Sequence, residues 1–283
     1  MAAVLYGGTP RHLPMEAEQT KHDEFKELCK KLVSQHLDIR QVANSSGRRR
    51  TGDDSLRIVR GLVPVLEAQD TRCRGALVAV GGVQCFLSRC TQSVSTGALY
   101  WNFRVLSQLL GLKAACKTIL RRDQGRLDHE MVALLGKVVQ FQDHAGIQNC
   151  CWTALANIAL FFPNNLEQLL TPSSHILTLL ENVRPHITDV EVMEPFCCFW
   201  SRAVRVSSVN TALPKAAKDT LEQLLQEVTR YFPPLRIGPA TSTAGVHYWA
   251  SLALRITARN TRTTTLPSQE PQDDHSSKSD ENK

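Results

Sequence analysis

The sequence predicts an all-α chain built from stacked helical units, and three observations carry that expectation. Four tryptophans, Trp101, Trp152, Trp200 and Trp249, recur at separations of 51, 48 and 49 residues. Between positions 55 and 257 apolar residues fall at helical three- and four-residue spacing, with little of the alternation that marks half-buried strands. Turn residues punctuate the same stretch: Gly125, Pro163, Pro172, Pro185, Pro214 and the pair Pro233-Pro234.

Composition agrees with a folded chain. Of 283 residues, 42% are hydrophobic and 21% charged, with a formal net charge of +6. That is too apolar for a wholly disordered protein and long enough to bury a sizeable core. No apolar run approaches the roughly 20 residues that span a bilayer, which excludes a transmembrane helix. The first residues lack both a basic and a long apolar region, so neither a secretory nor a mitochondrial leader is expected. Nine cysteines without such a leader read as reduced thiols, and the expected compartment is cytoplasm, nucleus or both.

In chain order, residues 1–15 read as a flexible N-terminus. Residues 16–54 read as an amphipathic helix, with Phe25, Leu28 and Leu32 on one face, followed by a basic loop containing Arg48, Arg49 and Arg50. Residues 55–258 form the helical repeat domain. Residues 259–283 are almost without apolar side chains, cannot offset their ordering entropy by burial, and read as a disordered polar tail.

Aligned on tryptophan, the four segments share flanking chemistry. The preceding residue is Tyr100, Cys151, Phe199 or Tyr248, and an apolar residue follows three or four positions later (Val105, Leu155, Val204, Leu252). The period is too long for tetratricopeptide or ankyrin units of about 33–34 residues and lies just beyond the roughly 40–47 of armadillo and HEAT repeats. ALANIA (154–159) closely resembles the A-L-x-N-I/L-A core of an armadillo third helix. GALVAVGGVQCFLSRC (75–90) and RGLVPVLEA (60–68) resemble the entry to that family's second helix. The resemblance implies a right-handed α-solenoid of about four armadillo-like repeats; irregular or HEAT-like helix pairs are the alternative for units this long. It also implies that the tryptophan helices are apolar nearly all round, because neighbours sandwich them. The indoles themselves read as packing residues rather than contact residues.

The same resemblance nominates a partner-binding stripe. In peptide-binding armadillo proteins an inner-face Asn of the third helix bonds the backbone of an extended ligand, and Asn157 matches it. Those proteins carry Trp four residues earlier; here that position is Thr153, so the Trp–Asn ladder of nuclear-import adaptors is not reproduced. With tryptophan as ruler, the polar residues one and five positions later are Asn102, Thr153, Asn157, Ser201 and Arg205. These five are the expected partner-binding residues. A solvated helix face would carry the same polarity with nothing bound.

Other chemistries find little support. The vicinal pairs Cys150-Cys151 and Cys197-Cys198 cannot easily chelate together from one helix, since adjacent side chains point about 100° apart, so no metal site is expected. Phosphate loops, nucleophile elbows and zinc-protease motifs are absent, and no catalytic residue or cofactor is expected. From position 104 to 137 seven basic residues face three acidic ones, a modest excess. The expectation is a non-enzymatic adaptor or scaffold that holds a segment of another protein, extended or acidic in character given the mild positive charge. The alternatives are a nucleic-acid-associated helical repeat with salt-sensitive affinity and, behind it, an enzyme of unrecognised type. Partner identity and oligomeric state leave no mark in the sequence.

Overall fold

A computed structural model of the chain describes residues 52–67, 71–120, 128–170, 175–234 and 242–264, together with Asp23, Lys26, Glu27 and Lys30. Apart from short turns every element is helical, and the described residues contain no strand. Helix α1 (Gly52–Glu67) comes first. A short, a middle and a long helix then recur four times among the described residues. The first set is α2 (Thr71–Ala79), α3 (Gly82–Gln92) and α4 (Thr96–Leu109). The second is α5 (Lys113–Ile119), α6 (His129–Val138) and α7 (Ala145–Phe161). The third is α8 (Leu166–Leu169), α9 (Ile176–Glu181) and α10 (Val190–Ala203). The last is α11 (Ser207–Ala212), α12 (Lys215–Tyr231) and α13 (Ser242–Thr264).

Helix starts follow from local capping chemistry. The Ser95 hydroxyl accepts the Ala98 amide at the head of α4, and Asp128 accepts the Glu130 amide ahead of α6. His144 and Asp189 accept the amides of Ile147 and Glu191 at the heads of α7 and α10. Each satisfies one of the first four helix N–H groups, which have no partner within the helix. Between α2 and α3 the chain reverses at Gly81, whose φ of 85° lies in the left-handed region that glycine adopts without strain. Gly82 follows because a Cβ there would sit 2.6 Å from the Leu77 carbonyl oxygen.

The long helices lie side by side in chain order. α1 packs on α4, α4 on α7, α7 on α10, and α10 on α13. α3 and α12 cover α4 and α13, and the middle helices also meet in pairs, α3 with α6 and α9 with α12. α7 has neighbours on both flanks, and ten of its 17 residues are buried, from Ile147 to Ala159. Its interface with α10 is built from rings. Trp152 meets Phe196 edge-to-face at 4.9 Å and Phe199 at 5.7 Å, and Phe199 meets Trp200 at 5.0 Å. Such pairs add roughly 0.5–1.5 kcal/mol each beyond the area they bury.

Side chains also reach backward along the chain to helix ends. Arg74 donates through Nε and Nη2 to the Leu66 carbonyl at the close of α1, at 2.9 and 2.6 Å. Lys137 donates to the carbonyls of Cys90, Thr91 and Ser93, where α3 ends. His186 bonds the Gln142 carbonyl at 2.5 Å, and His247 bonds that of Phe232 at 2.7 Å. These carbonyls lie at or just past helix C-termini, where the last four C=O groups lack intrahelical partners.

The four tryptophans fall in the four successive long helices α4, α7, α10 and α13. Three boundaries differ from the sequence expectation. Residues 60–67 form the body of α1, a long helix stacked on α4, rather than the entry to a second helix. α1 also begins at Gly52, inside the expected basic loop. At the other end α13 continues through Thr264, into the stretch from position 259 assigned to the polar tail. A helix already nucleated adds residues at little cost, so the helix anchored by the buried Val246, Ala250 and Ala253 continues into polar sequence. The amphipathic helix and the remainder of the tail lie outside the described residues, save that Lys30 pairs with Glu27 at 2.6 Å. No helix among the described residues is long and apolar enough to cross a membrane.

Candidate functional site

The layer of long helices opens a polar cleft where α1, α4, α7 and α10 approach one another. Its lining includes Glu67 from α1; Tyr100, Arg104 and Gln108 from α4; Asn149 and Thr153 from α7; and Glu191 from α10. These positions follow the helical period: 100, 104 and 108 form one strip of α4, and 146, 149 and 153 the matching strip of α7. The approach of the two helices depends on Gly146, where a Cβ would stand 2.6 Å from Cε2 of Tyr100.

Arg104 organises the cleft. Its Nε and Nη2 both meet Oε1 of Glu67, at 2.6 and 2.5 Å, and its Nη1 donates to the Tyr100 hydroxyl at 2.6 Å. Partial burial works against its charge, but the Glu67 carboxylate and Tyr100 more than offset that, leaving its pKa above the ordinary arginine value. Beneath lies Cys150, bonded to Ser107; burial pushes its thiol up to about 12, so it stays protonated at neutral pH and is a poor nucleophile. On the α7 side Thr153 donates to Asn149 Oδ1 at 3.0 Å.

The five expected partner-binding residues do not share one surface. Thr153 lines the cleft. Asn157 continues its strip one turn further and is partly exposed, with its Nδ2 opposite Gly111. Arg205 is exposed in the turn that follows α10. Asn102, by contrast, is 4% exposed; its side chain donates to the Ala98 carbonyl at 2.8 Å and accepts from Arg89 Nε at 3.0 Å. Ser201 is fully buried and donates to the Cys198 carbonyl.

The tryptophan ruler explains the split, because the rings do not occupy equivalent positions around their helices. Trp152 and Trp200 are enclosed, whereas Trp101 and Trp249 are only partly covered. A step of one residue turns the helix about 100°, so it carries Thr153 outward from a buried ring and Asn102 inward from a half-exposed one. Ser201, one step on from the enclosed Trp200, is buried as well, so the rings of α7 and α10 also differ in which flank of the ring faces the interior.

The sequence reading omitted Glu67, Tyr100, Arg104 and Gln108 from the site. The signal that marks most of them is the four-residue recurrence of polar side chains in α4, independent of the tryptophan. It also omitted the arginines that lie against the half-exposed rings. The guanidinium carbons of Arg60 and Arg104 lie 5.5 and 5.7 Å from the centre of Trp101, and that of Arg202 lies 5.9 Å from Trp249. Among the described residues no group of three or more His, Cys, Asp and Glu side chains is placed to hold a metal ion.

Fold and cleft together define an all-α protein whose stacked long helices present a polar strip centred on Arg104. No family model matches the chain. No curated protein matches it either. Among solved structures it is similar to an engineered protein from a structural-genomics consortium, with a TM-score of 0.55 and 16% identity over 88% of this chain and 94% of that one. At that identity the likeness is one of fold alone.

Proposed function

We propose that this chain is a non-enzymatic adaptor or scaffold of the armadillo type: a right-handed α-solenoid of four three-helix repeats, acting in the cytoplasm or nucleus. Its long-helix face holds an extended segment of a partner protein. The observation that carries this reading is the row of amides on that face. Gln108, Asn149 and Asn157 are partly exposed, and their side-chain N–H groups have no acceptor among the described residues. An extended segment presents a carbonyl and an amide at every residue, and a spaced row of carboxamides can bond both. The ALANIA motif supports the assignment, since it places Asn157 where the resemblance expects a backbone-binding Asn.

The test begins with partners found by proximity labelling in cells, followed by anisotropy measurements on the recovered segments. Changing Asn157 and Arg205 together to Ala, or Gln108 and Asn149 together, removes about two hydrogen bonds and should weaken binding roughly 5- to 150-fold. Thermal stability should change little, because the one described bond these side chains make within the fold is the part-exposed Thr153 hydroxyl donating to Asn149. Unaltered affinity in both double variants overturns the proposal.

A further inference from the structure

Two arginine–aromatic clusters flank the amide row. At the α1 end Arg60 lies against Trp101; it is exposed and forms no ion pair with a described residue. At the other end Arg202 of α10 lies against Trp249, which stands edge-on to the half-exposed Tyr248 at 4.9 Å. Arg202 spends one Nη1 hydrogen on the Ala156 carbonyl at 2.5 Å and has no carboxylate partner among the described residues. An arginine steadied against a ring keeps N–H donors that match a carboxylate in pairs, and ordering it beforehand lowers the entropy lost on binding. Arg, Trp and Tyr are also the residues that dominate binding energy at protein interfaces.

We infer that the segment held on this face carries two acidic side chains, one seated at Arg60–Trp101 and the other at Arg202–Trp249. This rests on the adaptor reading above and adds to it the chemistry and spacing of the occupant. Three helix steps separate α1 from α10, roughly 24–30 Å at 8–10 Å per step. An extended chain covers that in about eight residues. The net charge of +6 favours the same partner at long range. A nucleic-acid strand fits less well. Bases stack on open aromatic faces, and Trp101 already has two guanidinium groups against it.

The test is selection of a displayed random-peptide library, longer than the span above, on the full chain and on Arg60→Glu and Arg202→Glu. Wild type should enrich peptides with two Asp or Glu about eight residues apart. Arg60→Glu should convert the preference at one of those positions to Lys or Arg, and Arg202→Glu the other. Each reversal should weaken wild-type-selected peptides about tenfold. Arg60 is exposed, so that variant reads the result even if Arg202→Glu folds poorly. Enriched peptides without the acidic pair, or a pair indifferent to Arg60→Glu, overturn the inference. If those peptides are still lost with Gln108→Ala/Asn149→Ala, the adaptor reading stands alone. Absence of any enriched peptide, with salt-sensitive binding of an oligothymidylate probe instead, removes both.

Discussion

Arg104 binds the Glu67 carboxylate through two of its nitrogens, both directed at the same oxygen, and so ties α4 to α1 across the mouth of the cleft. Both side chains are about one-third exposed, which limits the strength of the pair through solvent screening. Glu67→Gln should cost about 0.5–1 kcal/mol in urea unfolding, and the difference should shrink at high salt. A loss insensitive to salt would mean that packing, not charge, holds these two helices.

The enclosed and half-exposed indoles should respond differently to truncation. Trp152→Ala opens a cavity between α7 and α10 and should cost about 3–5 kcal/mol. Trp249→Ala removes a ring already partly in water and should cost about 1–2 kcal/mol. Chemical denaturation of the two variants measures the gap, and equal costs would contradict the burial that separates the rings.

Gly146 and Tyr100 should be coupled. Gly146→Ala gains helix propensity of about 1 kcal/mol but drives a methyl group into the Tyr100 ring, so the variant should be destabilised on balance. In a Tyr100→Ala background the same change should stabilise by about 0.5–1 kcal/mol. A double-mutant cycle reads the coupling, and additive effects would dismiss the contact.

Burial raises the pKa of Glu194, which packs against Gly245 of α13. A carboxyl raised in the folded state favours folding most below its unfolded value of about 4.3 and loses that advantage as pH rises through the folded value. At neutral pH its charge is therefore a burden, and Glu194→Gln should be the more stable protein. The advantage should narrow as pH falls through the raised folded value and be gone below about 4, a trend that urea titrations at several pH values would follow.

Thiol reactivity should track enclosure. Burial pushes Cys116 and Cys150 up to about 12 and raises Cys151 and Cys197 further. Burial raises Cys198 as well, but it is less enclosed than the others and Arg202 nearby offsets part of the rise. Pulsed alkylation read by mass spectrometry should modify Cys198 first among these five, with the others reacting only on unfolding. Early labelling of Cys150 would reveal that the cleft floor opens in the native state.

How much of this was legible in the sequence depends on which physical signal carried it. Helical class came through because apolar spacing survives in any long amphipathic or buried helix, and the tryptophans do mark four successive long helices. The angular position of each ring was not legible, because equal separations along the chain do not fix rotation about the helix axis. That is why Thr153 lies at the surface while Asn102 and Ser201, at the same offset from their own rings, are interior. Arg60 and Arg202 were missed because their significance lies in rings on neighbouring helices, 41 and 47 positions away in the chain. The end of α13 was misjudged because polar residues extend a helix that buried residues have already started.

The backward-reaching Arg74, Lys137, His186 and His247 bear on how the protein could be dissected. Each seals a terminus that belongs to residues before it, so cutting just upstream of any of them would strip the closure from the piece retained. Fragments made at the apparent joints should therefore fray from their C-terminal side. The smallest autonomous version is one that supplies a substitute lid, not one that merely counts whole units.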